Sequence, residues 1–210
     1  MTIKNIFCIG RNYSEHAKEL NNPIPATPVV FLKPNSSVVY SGGDLILPSF
    51  SQRVDHEVEV VLKVGKTGKN ISEEKALDYI SHLGVGIDFT ARDLQAVAKD
   101  KGLPWSIAKG FDTFTGLGNF KEFNQEQDNV FNLNIELKVN GEIRQKGNSK
   151  DMLFSIPKII SYLSQIFTLS EGDLIFTGTP EGVGILHEGD QIEATLENYS
   201  SLNLGVRRAE

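Results

Sequence analysis

The chain has 210 residues, 40% of them hydrophobic and 23% charged, with a formal net charge of -6. That length can bury a large core as one domain, and the acidic balance excludes the basic footprint of a nucleic-acid-binding surface. A single cysteine, Cys8, excludes an internal disulfide or a cysteine-built zinc site. No apolar run is long enough to span a membrane, and the N-terminus lacks the regions of a signal peptide, so the cytoplasm is the expected compartment.

In chain order, residues 3–9 predict a short buried strand ending at Gly10, with Cys8 as a small core residue between Phe7 and Ile9. A polar helix is expected over about 12–20, ended by Asn21-Asn22-Pro23. Pro23 to Pro28 reads as an irregular loop, followed by strands over Val29–Lys33 and, after Gly42-Gly43, Asp44–Leu47. Residues 54–64 form the most informative stretch. As a strand it places Val54, His56, Val58, Val60 and Leu62 on one face and Asp55, Glu57 and Glu59 on the other. Glu57 and Glu59 then lie roughly 6 to 7 Å apart along the strand. Like charges at that spacing repel unless water or a cation relieves them, and a hard divalent cation prefers such oxygens. The same alternation is also what any half-buried antiparallel strand shows.

Ser72 before Glu73 and Glu74 reads as the N-cap of a helix running to about His82. Gly84 to Phe89 is a strand, and Thr90-Ala91-Arg92-Asp93 resembles a capping box opening a helix to about Lys101. Leu133, Ile135, Leu137 and Val139 alternate with polar residues, and Asn140-Gly141 closes a hairpin because both residues tolerate positive φ. Ser155 caps a helix with Pro157 in its first turn, running to about Phe167. Leu174 to Thr177 and Gln191 to Leu196 are strands. Strands predominate and the few helices do not alternate regularly with them, which points to an α+β, mostly β sandwich or roll.

Four further features carry chemistry. Asp88 ends an apolar strand, where a carboxylate is seldom buried unless paired or bound to metal. His16 and Glu19 are neighbours on the expected helix, the spacing at which a carboxylate raises the pKa of an imidazole base. Gly178-Thr179-Pro180-Glu181-Gly182-Val183-Gly184 is a rigid turn that can bring backbone close to a ligand. Lys109 is a lone cation in an apolar stretch.

Taken in order, these segments resemble the fumarylacetoacetate hydrolase family, in its short acylpyruvase and oxaloacetate-decarboxylase-like branch. The match is carried by Gly10-Arg11-Asn12-Tyr13 with His16, Phe31-Leu32-Lys33-Pro34, Asp55-His56-Glu57-Val58-Glu59 and Gly86-Ile87-Asp88-Phe89-Thr90-Ala91-Arg92-Asp93. Lys101-Gly102-Leu103-Pro104-Trp105, Ala108-Lys109 and the 178–184 turn complete it. The resemblance implies a mixed β-sandwich roll, one catalytic domain over 1–210 acting as a homodimer, with residues 10–28 a mobile lid. It implies Mg2+ or Mn2+ held by Glu57, Glu59 and Asp88, a water-activating dyad of His16 and Glu19, and an active-site Lys109. Arg11, Arg92, Gln95 and Thr179 match positions around a small 2-oxo acid substrate. Gly110, where the family often has Ser, and Thr115-Gly116-Leu117-Gly118, without a Pro-containing turn, depart from the pattern and bear on pocket shape.

The reaction so implied is hydrolysis of acylpyruvate-type 2,4-dioxo acids, with oxaloacetate decarboxylation as a second activity. The alternatives are keto-enol tautomerisation of oxaloacetate, isomerisation of an unsaturated 2-oxo diacid, and non-catalytic binding of oxo acids.

Overall fold

The computed structural model of the chain describes residues 2–14 and 25–209. The strands are β1 (Ile6–Gly10), β2 (Val29–Lys33), β3 (Val38–Tyr40), β4 (Asp44–Leu47), β5 (Val54–His56), β6 (Val58–Val64), β7 (Ile80–Asp88), β8 (Thr90–Ala91) and β9 (Thr115–Glu122). They continue with β10 (Asn134–Val139), β11 (Glu142–Asn148), β12 (Leu174–Phe176), β13 (Gly184–Ile185), β14 (Gln191–Leu196) and β15 (Ser200–Arg208). Among the described residues three α-helices accompany them: α1 (Arg92–Asp100), α2 (Ser106–Lys109) and α3 (Ile156–Ile166).

A seven-stranded sheet runs β2-β1-β12-β6-β7-β9-β3, and a five-stranded sheet runs β11-β10-β14-β15-β4. Their facing sides interdigitate in one core, where Val58, Val60, Leu62, Leu83, Val85 and Ile87 meet Ile135, Leu137, Ile192, Ala194, Leu202 and Leu204. The alternation of β6 thus aims its valines and Leu62 at the second sheet, as strand periodicity requires. A third, three-stranded sheet, β13-β5-β8, sits beside them. This is the α+β, mostly β architecture that the pattern predicts, with curled sheets forming a sandwich roll.

The other face of the seven-stranded sheet is also covered. Ile6, Cys8, Val61, Leu117, Leu174 and Phe176 form a second apolar cluster there, so Cys8 is a core residue, and burial pushes its thiol pKa up. Gly86 makes this packing possible: a Cβ on it would lie 2.6 Å from Phe176 and 2.7 Å from Val61. The acidic side of β5 and β6 is therefore not a solvated face, since Asp55, Glu57 and Glu59 are all buried.

Local structure follows the sequence where local signals and tertiary demands agree. Asn140 (φ 54°) and Gly141 (φ 80°) make the expected turn between β10 and β11, and the Ser155 hydroxyl accepts from the Lys158 amide at the start of α3. The two agree less well elsewhere. The helix expected from Ser72 to His82 is a 3-10 segment over Glu73–Tyr79 without a side-chain cap. Ile80 and His82 pair instead with Val64 and Lys63, so sheet pairing overrides helix propensity. Ala91 stands at the N-cap of α1 with no side-chain cap bond, and Thr90 and Ala91 pair with Asp55 and Val54. The Asp93 carboxylate is taken by the Ser51 hydroxyl and the Gln52 amide, at 2.7 and 2.8 Å. β9, β3 and β15 carry no clear sequence signal. In β9, Gly116 and Gly118 lie where the second sheet approaches closely, and a Cβ on Gly118 would stand 2.5 Å from the carbonyl oxygen of Ser201. Of the polar helix expected over about 12–20, residues 15–20 lie outside the described residues, as do residues 15–24 of the lid expected over 10–28.

Gly118→Ala must push β9 away from β15, and overpacking of this kind costs about 1–3 kcal/mol. Urea unfolding should show the midpoint displaced to lower urea; an unchanged midpoint would show that the sheets do not meet there.

Candidate active site

The site is built on the register of two central strands. Val58 pairs with Ile87 and Glu59 with Gly86, and the Asp88 amide donates to the Glu57 carbonyl at 2.8 Å. Glu57 and Asp88 thus stand opposite each other, and Glu59 follows two residues along the same face. One oxygen from each of the three lies within 4.8 Å of the others, and all three residues are buried.

Buried carboxylates need counter-charge, and three elements deliver it. Lys33, the last residue of β2, donates to Asp88 Oδ1 and to the Phe114 carbonyl at 2.6 Å. Lys109, from the last turn of α2, donates to Glu57 Oε2 (2.7 Å), Asp88 Oδ2 (2.5 Å) and Thr90 Oγ1 (2.6 Å). Arg92, at the start of α1, donates to Asp55 Oδ2 (2.9 Å), Glu57 Oε1 (2.5 Å) and Gln95 Oε1 (2.7 Å). Arg53 completes the pairing of Asp55 at 2.9 and 3.2 Å. Burial opposes the charges on Lys109 and Arg92. For Lys109 the fields of Asp88 and Glu57 outweigh it, and for Arg92 those of Glu57 and Asp55, so both pKa values stand above the ordinary ones.

Glu59 is treated differently. The Gly178 amide donates to its Oε2 at 2.6 Å, and among the described residues no cation bonds to it. Burial, and then repulsion by Asp88, pushes its pKa well above the ordinary glutamate value. Three converging hard oxygens, one without a cationic partner, are a donor set that fits a divalent cation.

These groups border a cavity that is also lined by Arg11, Gln95, Lys99, Thr179 and an aromatic pair. Phe31 and Trp105 make that pair edge to face, with centroids 5.6 Å apart. Arg11 has a φ of 59°, a backbone region that non-glycine residues seldom occupy. Its neighbour Asn12 pins the chain there. The Asn12 amide donates to the Phe154 and Thr177 carbonyls at 3.0 and 2.8 Å, and its oxygen accepts from the Phe154 amide at 2.7 Å. Gly178, at φ 100°, could not carry a side chain, since a Cβ would lie 2.6 Å from that of Asn12. Gly110 is likewise confined, its Cβ position being 2.8 Å from the Ser106 carbonyl and 2.9 Å from Pro34.

The structure therefore brings together Glu57, Glu59, Asp88, Lys109, Arg11, Arg92, Gln95 and Thr179. His16 and Glu19 lie outside the described residues. Sequence reasoning gave no role to Lys33, Lys99, Trp105 or Gln145. Lys99 had a usable signal, because Arg92, Gln95 and Lys99 are spaced i, i+3, i+7 and share one helix face. Lys33 stood in the Phe31-Leu32-Lys33-Pro34 segment of the family match without a role of its own, and Gln145 had no signal; the partners of both are distant in sequence.

A roll of curled sheets with three buried carboxylates facing a cavity lined by Arg11, Arg92, Lys99 and Lys109 suits a small anionic ligand. The chain belongs to the fumarylacetoacetate hydrolase family. The family model for the fumarylacetoacetate (FAA) hydrolase C-terminal region matches residues 5–207. The chain is 48% identical to a mitochondrial oxaloacetate tautomerase of Arabidopsis thaliana, over 97% of this chain and 91% of that protein. It is 44% identical to the mitochondrial oxaloacetate tautomerase of Mus musculus, over 99% and 93%. Among solved structures, fumarylpyruvate hydrolase from Pseudomonas aeruginosa, in complex with Mn2+ and pyruvate, superposes with a TM-score of 0.92. That protein is 35% identical over 99% of this chain and 91% of its own.

Removing one partner of a buried charge pair typically costs about 3–5 kcal/mol. Lys33→Met leaves Asp88 Oδ1 without its cation, and a loss of stability of about that size is expected by urea unfolding. Wild-type stability in the variant would mean that Lys33 does not neutralise Asp88.

Proposed function

We propose that the chain is a Mg2+- or Mn2+-dependent tautomerase that interconverts the enol and keto forms of oxaloacetate. The observation that carries the reading is the pairing of a buried three-carboxylate cluster with a cavity lined by Arg11, Arg92, Lys99 and Lys109. Glu57, Glu59 and Asp88 would hold the cation, which supplies Lewis-acid polarisation of a 2-oxo group. The likeness to the two oxaloacetate tautomerases, over nearly the whole chain, supports this substrate.

Tautomerisation moves one proton between C3 and the 2-oxygen, so the chain must bind the acid, orient it and stabilise negative charge on that oxygen. Lys109 remains protonated between Glu57 and Asp88 and acts as a fixed positive charge and donor rather than a base. Arg92 is locked by Asp55, Glu57 and Gln95, a preorganised guanidinium suited to a carboxylate. Arg11 and Lys99 supply further positive charge, which suits the second carboxylate of a dianionic substrate. Phe31 and Trp105 limit the water around the reacting carbons. His16 and Glu19 remain the candidate proton-transfer pair by family resemblance. The homodimer, the lid over 10–28 and the cytoplasmic compartment belong to this proposal too. No helix among the described residues is long and apolar enough to cross a membrane.

A second reading is hydrolysis of an acylpyruvate-type dioxo acid, with decarboxylation of oxaloacetate beside it. The likeness to fumarylpyruvate hydrolase favours the hydrolysis. It demands a water activated by His16 and Glu19, which tautomerisation does not.

Loss of the enol absorbance of oxaloacetate, followed with Mg2+ or Mn2+ and alongside pyruvate release, separates these reactions. The expected result is metal-dependent enol decay without matching pyruvate, abolished in a Glu57→Ala/Glu59→Ala variant. Stoichiometric pyruvate from oxaloacetate, or cleavage of acetylpyruvate with no effect on enol decay, would reject the tautomerase reading. Lys99→Met should raise KM for oxaloacetate roughly tenfold, the scale of one lost charged hydrogen bond. Its effect on singly charged acetylpyruvate binding should be smaller, and equal effects on both would remove Lys99 from dicarboxylate recognition.

A further inference from the structure

Gln145 lies on β11, outside the cavity and 1% exposed, yet it bonds to both halves of the site. The Val58 amide donates to its Oε1 at 3.0 Å, and its Nε2 donates to the Pro180 carbonyl at 3.0 Å. A backbone N–H can only donate and a backbone C=O can only accept, so these two contacts fix which way the amide points. The remaining two contacts then have determined polarity. His56 Nδ1 donates to Oε1 at 2.9 Å. Thr179 Oγ1 accepts from Nε2 at 2.8 Å. All four hydrogen-bonding positions of the amide are used.

The consequence falls on Thr179. Its oxygen already accepts a proton from Gln145, so its own hydroxyl hydrogen points elsewhere. Among the described residues no acceptor takes that hydrogen, and Thr179 borders the cavity. We propose that Gln145 is a positioning residue: it anchors the Thr179 hydroxyl as a hydrogen-bond donor aimed into the cavity, toward an anionic oxygen of a bound 2-oxo acid. The substrate class rests on the function proposed above. The scaffold around this contact is tight. A Cβ on Gly147 would lie 2.7 Å from Pro180, and one on Gly182 would lie 2.2 Å from the Arg144 carbonyl oxygen. The β11 hairpin and the 178–184 turn are thus pressed together, and the same turn donates the Gly178 amide to Glu59. Donor hydroxyl and carboxylate cluster are set by one loop.

A double-mutant cycle tests this, read as oxalate binding by calorimetry with Mg2+ present and, separately, as oxaloacetate enol decay. In Gln145→Glu the side chain offers only acceptors, so the Thr179 proton turns away from the cavity. Oxalate binding should weaken roughly tenfold, and Thr179→Val should cost a similar factor. The double variant should be no weaker than either alone, within about twofold. Thr179→Ser keeps the donor and should stay near wild type. Gln145→Met, which removes the anchor without adding an acceptor, should bind better than Gln145→Glu, and it serves if the buried glutamate prevents folding. This pattern in oxalate binding, with no oxaloacetate turnover by the wild type, would reject the proposed reaction and leave the inference standing. Independent, multiplying effects of the two substitutions, or a Thr179→Val variant that binds oxalate like wild type, would overturn the inference.

Discussion

Three carboxylates that meet within 4.8 Å beneath the surface repel one another and have lost the water that would solvate them. The arrangement holds only if positive charge is brought to the same place. Lys33 arrives from an edge strand, Lys109 from a short helix and Arg92 from the helix that follows β8. Each is fixed by further bonds to backbone or side-chain oxygens, so the counter-charges are not mobile surface pairs but parts of the scaffold. Glu59 is the member left with a backbone amide alone among the described residues. That asymmetry sets Glu59 apart from the paired carboxylates Glu57 and Asp88.

The rest of the fold supplies rigidity for this balance. The central strand pair sets Glu57 against Asp88 by backbone register, and apolar packing on both faces of the larger sheet holds that register. Interiors packed to this density transmit rather than absorb small displacements. The glycines matter for the same reason. Gly86 admits Phe176 beneath the strand pair and Gly178 admits Asn12 beside the 178–184 turn, and a side chain at either would collide with these residues, its Cβ lying 2.6 Å from them.

Much of this was legible in the sequence. The alternation from 54 to 64 put Glu57 and Glu59 on the side away from Val58, Val60 and Leu62, although the expected single strand is split between two sheets as β5 and β6. The Asn140-Gly141 turn and the α3 cap stand where their chemistry puts them. Local pattern could not tell that the acidic face is buried, because that depends on which strands and helices cover it. The roles of Lys33 and Gln145 stayed hidden for the same reason: Lys33 meets Asp88 across 55 residues of chain, and Gln145 meets Thr179 across 34. Of the helix expected at 72–82, Glu73–Tyr79 forms a 3-10 helix and Ile80 and His82 join the sheet. The helix expected after Thr90-Ala91-Arg92-Asp93, by contrast, stands at Arg92–Asp100, with Thr90 and Ala91 in strand pairing just before it. Family resemblance, resting on many short segments in order, reached the site where periodicity alone stopped at the strand.

Titration of the protein with Mn2+, followed by calorimetry and by the paramagnetic resonance of the bound ion, tests the central claim most directly. One Mn2+ should bind per chain, and Glu59→Gln, which keeps the shape of the side chain and removes its charge, should weaken binding by tenfold or more, about the worth of one charged ligand contact. Undiminished binding in that variant would show that the carboxylate cluster is a structural ion-pair network rather than a metal centre.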